Sequence, residues 1–138
     1  MKVLGIQIKS SEVILVVLTQ DQDGVITQLP ESTKFKIDDP TDNEQVRQFR
    51  DQVNTAFDSI SPEKIGVMAR NYKAKGTRAP SPMSFKLEGI IQLNEKYPIS
   101  FIWPQSIAAF YKKGNPELSP NKKLEEDAFN VAYYLLNH

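Results

Sequence analysis

Cysteine is absent from the chain, and histidine occurs only once, as the last residue, His138. Without cysteine, disulfide bonds and thiolate zinc sites are excluded. A catalytic triad needs a firmly held histidine base, which a chain end seldom provides. Neither a Walker A sequence nor Gly-x-Gly-x-x-Gly occurs, so the common phosphate-binding loops are excluded as well.

Long apolar runs are also missing. The longest run near the start, Val13–Leu18, is far shorter than the roughly 20 residues that cross a bilayer. Polar residues 9–12 interrupt the start of the chain, and no small-residue cleavage pattern follows them. We therefore expect no membrane association and a cytoplasmic location. The length of 138 residues predicts a single domain, residues 1–138, with one substantial core.

Acidic residues are missing from one stretch, residues 64–87, although the whole chain carries 17 acidic and 17 basic residues. Residues 21–63 hold ten acids and four bases. The acid-free stretch holds six bases, which are Lys64, Arg70, Lys73, Lys75, Arg78 and Lys86. Such asymmetry is typical of an anion-facing surface, although a solvated loop has the same pattern.

Strand patterns fill the first part of the chain. Val3–Ile8 and Glu12–Thr19 are short, apolar and rich in β-branched residues, which predicts two buried strands. A third strand is expected within Val25–Ile37, interrupted by Pro30. Gly5 inside the first strand indicates close approach by another backbone or a ligand. Short turns between the strands predict an antiparallel meander.

Helical periodicity then alternates with strands. Thr41 or Asp42 is expected to cap a helix that ends at Ser61-Pro62. Lys64–Ala69 then predicts a strand parallel to the first, because a crossover helix connects the two. Further along we expect a helix from Pro82, a strand Pro98–Trp103, a helix Gln105–Lys113 that ends near Gly114, and a final helix capped by Asn121 with Leu124 on its inner stripe.

The predicted order, β-β-β-α-β-α-β-α-α, indicates a five-stranded mixed α/β sheet with helices on both faces. Three places carry a resemblance, namely Gly5-Ile6-Gln7, Ile65–Ala69 and Asp127-Ala128. With them the order resembles the ribonuclease-H-like fold, and the RuvC-type resolvases within it. The chain is also similar to a small bacterial family of unknown function with this fold, through Lys75-Gly76, Ser84–Glu88 and Ile91–Leu93.

Nucleases of this fold hold two divalent ions with carboxylates from the first strand, the fourth strand and the last helix. The resemblance sets Gln7 at the first-strand position and the fourth-strand position at or near Ala69, and neither residue is anionic. Asp127, beside Glu126 and Glu125, is the carboxylate that the resemblance retains. Asp127, Glu126 and Gln7 are therefore remnant candidates, with Asp127 as the candidate metal ligand. Alternatively, the three acids only favour a helix N-terminus.

The predicted topology places two further acids near these ligand positions. Glu12 is a possible ligand, whereas Glu88 is expected to point outward and to pair with Lys86 or Gln92. With two ligand positions lost, we do not expect ordinary two-metal catalysis. No cofactor is predicted, and Mg²⁺ or Mn²⁺ would be needed only if nuclease activity remains.

The basic loop is the other candidate site. Its expected contacts to nucleic acid or another polyanion are Arg70, Tyr72, Lys73, Lys75 and Arg78. The cations would contact phosphates, and Tyr72 would stack on a base. Four such charges predict a log–log salt slope of roughly −3 to −4. The other notable rings are expected in the core or at an interface, and these are Phe101, Trp103, Tyr133 and Tyr134.

Three functional hypotheses follow. The first is a non-catalytic domain that binds nucleic acid or another polyanion through residues 70–78. The second is a residual metal-dependent phosphodiesterase that uses Asp127 with Glu126 or Glu12. The third is a protein–protein interaction module, including a homodimer formed by the last helix or by the edge of the third strand. One ring of the pair Tyr133 and Tyr134 would then face the partner.

Overall fold

The computed structural model describes residues 1–30 and 34–138, with every side chain in them except that of Arg78. Its single sheet has the order β3-β2-β1-β5-β6, with β4 beside β2. The strands are β1 (Lys2–Lys9), β2 (Glu12–Gln20), β3 (Ile26–Gln28), β4 (Lys34–Lys36), β5 (Lys64–Met68) and β6 (Ile99–Ile102). The helices are α1 (Asn43–Ile60), α2 (Pro82–Gln92), α3 (Pro104–Tyr111) and α4 (Glu126–Leu136).

The expected meander is present, followed by parallel strands. β1 and β2 pair antiparallel, whereas β5 is parallel to both β1 and β6. The third strand is divided, because β3 pairs with one end of β2 and β4 pairs with the other. The interruption predicted at Pro30 lies between them, next to residues 31–33, which are outside the described residues. The sheet therefore has six strands but five positions across it, and the mixed α/β fold is confirmed.

One face of the sheet packs against α1 and α2. Its core contains Leu4 and Ile6 of β1 together with Phe49 and Phe57 of α1 and Leu87 of α2. The caps of these helices form as predicted. The Asp42 side chain accepts a hydrogen bond from the Glu44 N–H, and Ser61 ends α1 in a left-handed conformation. Pro82 lies in the first turn of α2, where its missing N–H costs nothing.

The other face packs against α3 and α4. Gly5 of β1 and Gly66 of β5 lie side by side in the parallel register, directly beneath α4. A β-carbon on Gly5 would lie 2.1 Å from the Ala128 carbonyl oxygen and 2.6 Å from the Ala132 nitrogen. On Gly66 it would meet the Val131 side chain at 2.9 Å. The approach of a backbone that Gly5 predicted is therefore confirmed, and that backbone is α4.

The start of the last helix differs from the prediction. Asn121 does not cap it, because a short 3₁₀ turn at Lys123–Glu125 precedes α4. Leu124 consequently leaves the inner stripe and is 53% exposed, whereas Ala128, Val131 and Leu135 are buried as expected. None of the helices in the described part of the chain is both long and apolar enough to cross a membrane.

Candidate functional site

Gln7 and Asp127 meet at the end of β1, although 120 residues separate them in the chain. The Gln7 amide donates from Nε2 to Asp127 Oδ2 at 2.7 Å. β1 carries Gln7 on the face that α4 covers, and Asp127 lies in the first turn of α4. The close packing of α4 on Gly5, two residues before Gln7, sets this distance. The structure thus brings together two of the three remnant candidates in one direct contact.

The fourth-strand position is Met68 rather than Ala69. The parallel register pairs Ile6 with Val67, so the next residue along β1, Gln7, is opposite Met68. Met68 packs against the core beneath α4. Ala69 belongs to the other face, where it lines a pocket beside α2. The position expected at or near Ala69 is therefore one residue earlier in the strand, which places it on the opposite face of the sheet from Ala69. Methionine, like alanine, offers no anionic oxygen to a cation.

Glu126, the third remnant candidate, lines a cleft together with Gln7 and Asp127. This cleft holds about 460 Å³ and lies around the turn between β1 and β2. Its charged side chains are the acids Glu12, Glu126 and Asp127 and the bases Lys9, Lys34 and Lys123. Glu12 is 3.8 Å from Lys34 across the β2–β4 pair. The sequence did not predict that these lysines would line the site. One signal was present, because Lys9 follows Gln7 by two residues and so shares its face of β1.

Glu125 has a separate, structural role. It is buried, and its Oε1 accepts hydrogen bonds from Gln28 Nε2 at 3.1 Å and from the Lys122 N–H at 3.2 Å. The Gln28 side chain in turn accepts from the Asn121 N–H at 2.9 Å. These bonds attach the start of α4 to β3. The three consecutive acids therefore divide, one inside the fold and two in the cleft.

A pair of divalent ions does not fit these residues. Within residues 1–30 and 34–138, no three of the side chains of His, Cys, Asp or Glu gather as a metal-binding group. Asp127 already accepts a short hydrogen bond from an uncharged amide. Equal numbers of lysines and acids line the cleft, whereas two adjacent Mg²⁺ ions need a surplus of anionic oxygens.

In the basic loop, Arg70 is held within the fold. It donates from Nη1 to Ser84 Oγ at 2.5 Å and from Nη2 to Glu88 Oε1 at 3.2 Å. Its guanidinium also lies 4.4 Å from the centre of the Phe85 ring. The Arg70 and Glu88 side chains are only 14% and 16% exposed. Glu88 thus pairs with Arg70 rather than with Lys86 or Gln92, and Arg70 is not available to a phosphate.

The exposed cations of the loop are Lys73 and Lys75. Neither ammonium group has a hydrogen-bond or ion-pair partner among the residues that the structure describes, and Lys73 Nζ lies 5.7 Å from the Tyr72 ring centre. Gly76 begins a 3₁₀ turn with a positive φ of 73°. The side chain of Arg78, at the end of that turn, lies outside the described part of the chain.

The remaining bases of the acid-free stretch also serve the fold. Lys64 Nζ donates to the Leu135 carbonyl at the end of α4 at 3.4 Å. Lys86 Nζ donates to the carbonyl of Pro40, which precedes α1. The start of α2, which follows the loop, contacts the turn beside the cleft, because the Ser81 hydroxyl donates to the Ser10 carbonyl oxygen at 3.5 Å.

The aromatic residues separate into two groups. Tyr133 and Tyr134, one of which was expected to face a partner, both pack against Phe110 of α3 and are half-buried. By contrast, Phe101 is 37% exposed and Trp103 is 47% exposed. Of the two expected places, the core and an interface, this exposure excludes the core for Phe101 and Trp103 and leaves the interface as a prediction.

The meander, the parallel strands and the closing helix together define a RuvC-type domain of the ribonuclease-H-like fold. The chain is similar to RuvC of Thermus thermophilus in complex with Holliday junction substrate, with a TM-score of 0.72, 16% identity, and coverage of 96% of this chain and 90% of that chain. It is also similar to the fowlpox virus Holliday junction resolvase, with a TM-score of 0.53, 11% identity, and 99% of both chains covered. At such low identity the likeness concerns the fold alone.

Residues 1–135 match the DUF3010 family, which is described as a protein family of unknown function, and the chain belongs to this family. No protein of curated function matches the chain. The expected resemblance, to a small family of unknown function with a RuvC-like fold, is confirmed.

Proposed function

We propose that this protein is a non-catalytic ribonuclease-H-like domain that binds nucleic acid through the exposed part of its basic loop. Lys73 and Lys75 would contact the phosphates. Tyr72, the loop residue before them, also lines the pocket beside α2. The similar resolvases are solved with Holliday junction DNA, which makes branched DNA one ligand to test.

One observation carries the non-catalytic part of the proposal, namely the Gln7–Asp127 hydrogen bond. In metal-dependent nucleases of this fold the two positions supply carboxylates that share a cation. Here an amide N–H lies against the single carboxylate and stabilises it without an ion. The opposite residue, Met68, adds no ligand, and Lys9 and Lys34 bring positive charge to the cleft where an ion would need negative charge.

The binding part rests on charge and exposure. Lys73 and Lys75 are exposed on a loop that follows the carboxyl end of β5, which is where α/β sheets place their binding sites. Because Arg70 is held by Glu88, one cation fewer than the sequence predicted is free to reach a ligand. The two described lysines alone predict a log–log salt slope of roughly −2.

The test is a binding series with single-stranded, duplex and four-way-junction DNA and with RNA, at increasing salt. We expect salt-dependent binding with a slope of roughly −2. The double variant Lys73→Glu with Lys75→Glu should lose it, while Lys112→Glu with Lys113→Glu, an equal charge change on exposed residues at the end of α3, should retain it. Salt-independent binding, or equal loss in both double variants, would contradict the proposal.

The nuclease alternative is tested with the same ligands. Residual phosphodiesterase activity through Asp127 with Glu126 or Glu12 predicts cleavage in Mg²⁺ or Mn²⁺ that Asp127→Asn abolishes. We expect no cleavage by the wild-type protein, because Gln7 and Met68 supply no charge and Glu12 lies beside Lys34. Cleavage that Asp127→Asn removes would replace the non-catalytic proposal, whereas cleavage that survives it indicates a contaminant.

The third hypothesis, a homodimer formed by the last helix or by the edge of the third strand, has less support from those two surfaces. α4 is buried against the sheet through Ala128, Phe129 and Val131. The edge of the third strand consists of two pieces, each three residues long. Light scattering at several concentrations distinguishes a monomer from a homodimer in solution.

A further inference from the structure

A small pocket lies on the α2 side of the sheet, where β5 and β6 end. It holds about 280 Å³, and its lining includes Arg70 and Tyr72 after β5, Phe85 of α2, and Phe101 and Trp103 at β6. Four of these five side chains are aromatic. Tyr72 lines the pocket and is followed directly by Lys73, with Lys75 two residues further along, so the exposed lysines belong to the same short segment as one of its walls.

Exposure of these rings is unusual for a chain whose other large rings pack well. Tyr72, Phe101 and Trp103 are among the most exposed large hydrophobic side chains of the described residues. β6 is an edge strand of the sheet, and with α2 alongside the pocket Phe101 and Trp103 still remain 37% and 47% exposed. Aromatic rings left uncovered in a concave site are typical of surfaces that bind a flat ligand.

Arg70 gives the pocket a fixed, planar cation. Ser84 and Glu88 hold its terminal nitrogens, and the guanidinium lies against Phe85. Its Nε is buried and has no hydrogen-bond partner among the described atoms. The pocket therefore presents aromatic rings beside an immobilised, planar guanidinium. This combination suits the face of a heteroaromatic ring.

We propose that this pocket binds an unpaired nucleobase of a single strand whose phosphates lie on Lys73 and Lys75. The inference rests on the proposed function and narrows its ligand to single-stranded or locally unpaired nucleic acid. A base within a duplex is stacked and cannot reach Trp103, whereas an unpaired base has two free faces. The charges match as well, because phosphates meet a segment without acids while the base enters the apolar site.

Trp103 makes the test direct, because it is the only tryptophan in the chain. Its fluorescence is followed while a thymidine decamer is added to the full-length protein at low salt. A decamer with the same phosphates but no bases serves as the matched ligand. We expect the thymidine decamer to quench Trp103 and to bind about 5- to 100-fold more tightly than the abasic one, the range that base–aromatic stacking produces.

Variants distinguish the contribution of the base contacts from that of the phosphate contacts. Phe101→Ala should lower affinity for the thymidine decamer about 5- to 100-fold and leave affinity for the abasic decamer unchanged. Lys73→Glu with Lys75→Glu should lower affinity for both. Trp103→Phe, followed by fluorescence anisotropy of a labelled strand, should retain binding because a ring remains. Circular dichroism and thermal unfolding establish that each variant is folded.

The two proposals fail in different ways. Equal binding of both decamers without quenching overturns the pocket and leaves phosphate binding by the loop intact. Binding of neither decamer at low salt overturns the proposed function, and the pocket with it. If Trp103 instead becomes shielded from acrylamide as protein concentration rises, without nucleic acid, the rings form a contact between copies and the nucleobase assignment is wrong.

Discussion

Gly5 shows how one residue sets the geometry of the cleft. Because it lacks a β-carbon, the Ala128 carbonyl and the Ala132 nitrogen of α4 come close to β1, and Asp127 reaches Gln7. The glycine was recognisable in the sequence as a point of close approach. That α4 is the approaching element could not be read there, because the two segments are at opposite ends of the chain.

Gly5→Ala tests this packing. The added β-carbon would lie 2.1 Å from a backbone oxygen, which cannot move without displacing α4. We expect a loss of about 3 kcal/mol in the free energy of unfolding, at the upper end of overpacking effects. Gly89→Ala is the control, since a β-carbon there meets nothing within 4 Å. In helix α2 it should raise stability by up to about 1 kcal/mol. Urea unfolding measures both, and equal effects would refute the explanation.

Gln7→Glu tests the loss of the metal site. The substitution keeps the shape, removes the amide donor and places a second carboxylate against Asp127. We expect a loss of about 1 kcal/mol without divalent ions, because the hydrogen bond is replaced by like-charge repulsion. Millimolar Mg²⁺ or Mn²⁺ should then raise the Tm of the variant and leave the wild-type Tm unchanged.

Gln7→Ala is the matched variant for that experiment, because it removes the hydrogen bond without adding charge. Its Tm should not respond to divalent ions. NaCl at equal ionic strength accounts for general screening. If divalent ions raised the Tm of the wild-type protein as much as that of Gln7→Glu, the Gln7 amide would not be what prevents a cation from binding at Asp127.

At the scale of elements, the beginning of α4 separates acids that look alike in the sequence. Glu125, Glu126 and Asp127 are consecutive, and helical periodicity alone placed all three near one turn. The 3₁₀ turn at Lys123–Glu125 rotates the first acid inward, to Gln28 and the Lys122 N–H. A strand and helix pattern contains no signal for such a turn, because its cause is a hydrogen bond to β3, 97 residues away.

Neighbouring alanine substitutions test this division. Glu125→Ala removes a buried acceptor of two hydrogen bonds and should cost about 1–3 kcal/mol of stability. Glu126→Ala changes an exposed side chain and should remain within about 0.5 kcal/mol of the wild type. Urea unfolding at neutral pH measures both. Equal costs would mean that the acids act together on the helix N-terminus rather than through separate contacts.

Helices and strands were predictable where the apolar pattern continues over many residues, as in α1, and where glycine or proline marks an end. The pairing registers of the strands were harder to predict. Met68 faces Gln7 and Ala69 does not, and only the strand pairing decides between them. The Arg70–Glu88 pair was missed for a related reason, because the direction in which the chain leaves β5 follows from its packing on α2. The charge pattern correctly located the loop but overstated how many of its cations are exposed.

For the whole molecule, alkaline pH reports the packing between α3 and α4. Burial, the neighbouring Tyr133 and Glu126 raise the pKa of Tyr111 to about 12, and its hydroxyl donates to Asn130 Oδ1 at 2.8 Å. In the unfolded chain the pKa of tyrosine is about 10. Between these values the unfolded chain loses this proton while the folded protein keeps it. The stabilisation is therefore complete below about pH 10 and is lost as the pH rises toward 12.

Tyr111→Phe should remove that part of the pH dependence. Below about pH 10 it costs about 1 kcal/mol through the lost hydrogen bond, but its urea midpoint should fall less steeply above pH 10 than that of the wild type. Tyr72→Phe, at an exposed position, should reproduce the wild-type slope. Identical slopes in all three proteins would show that Tyr111 titrates equally in both states.

The contact between α4 and β1 also has a consequence for the order of folding. The β1–β2 hairpin is complete by Gln20, but α4, which covers one of its faces, begins only at Glu126 and is therefore synthesised much later. Val3, Val16 and Leu18 therefore remain uncovered on a growing chain until that helix emerges. Contacts across such sequence separations form slowly and leave apolar strand surface open to aggregation. On the ribosome, this face of the hairpin is the surface that a chaperone would meet.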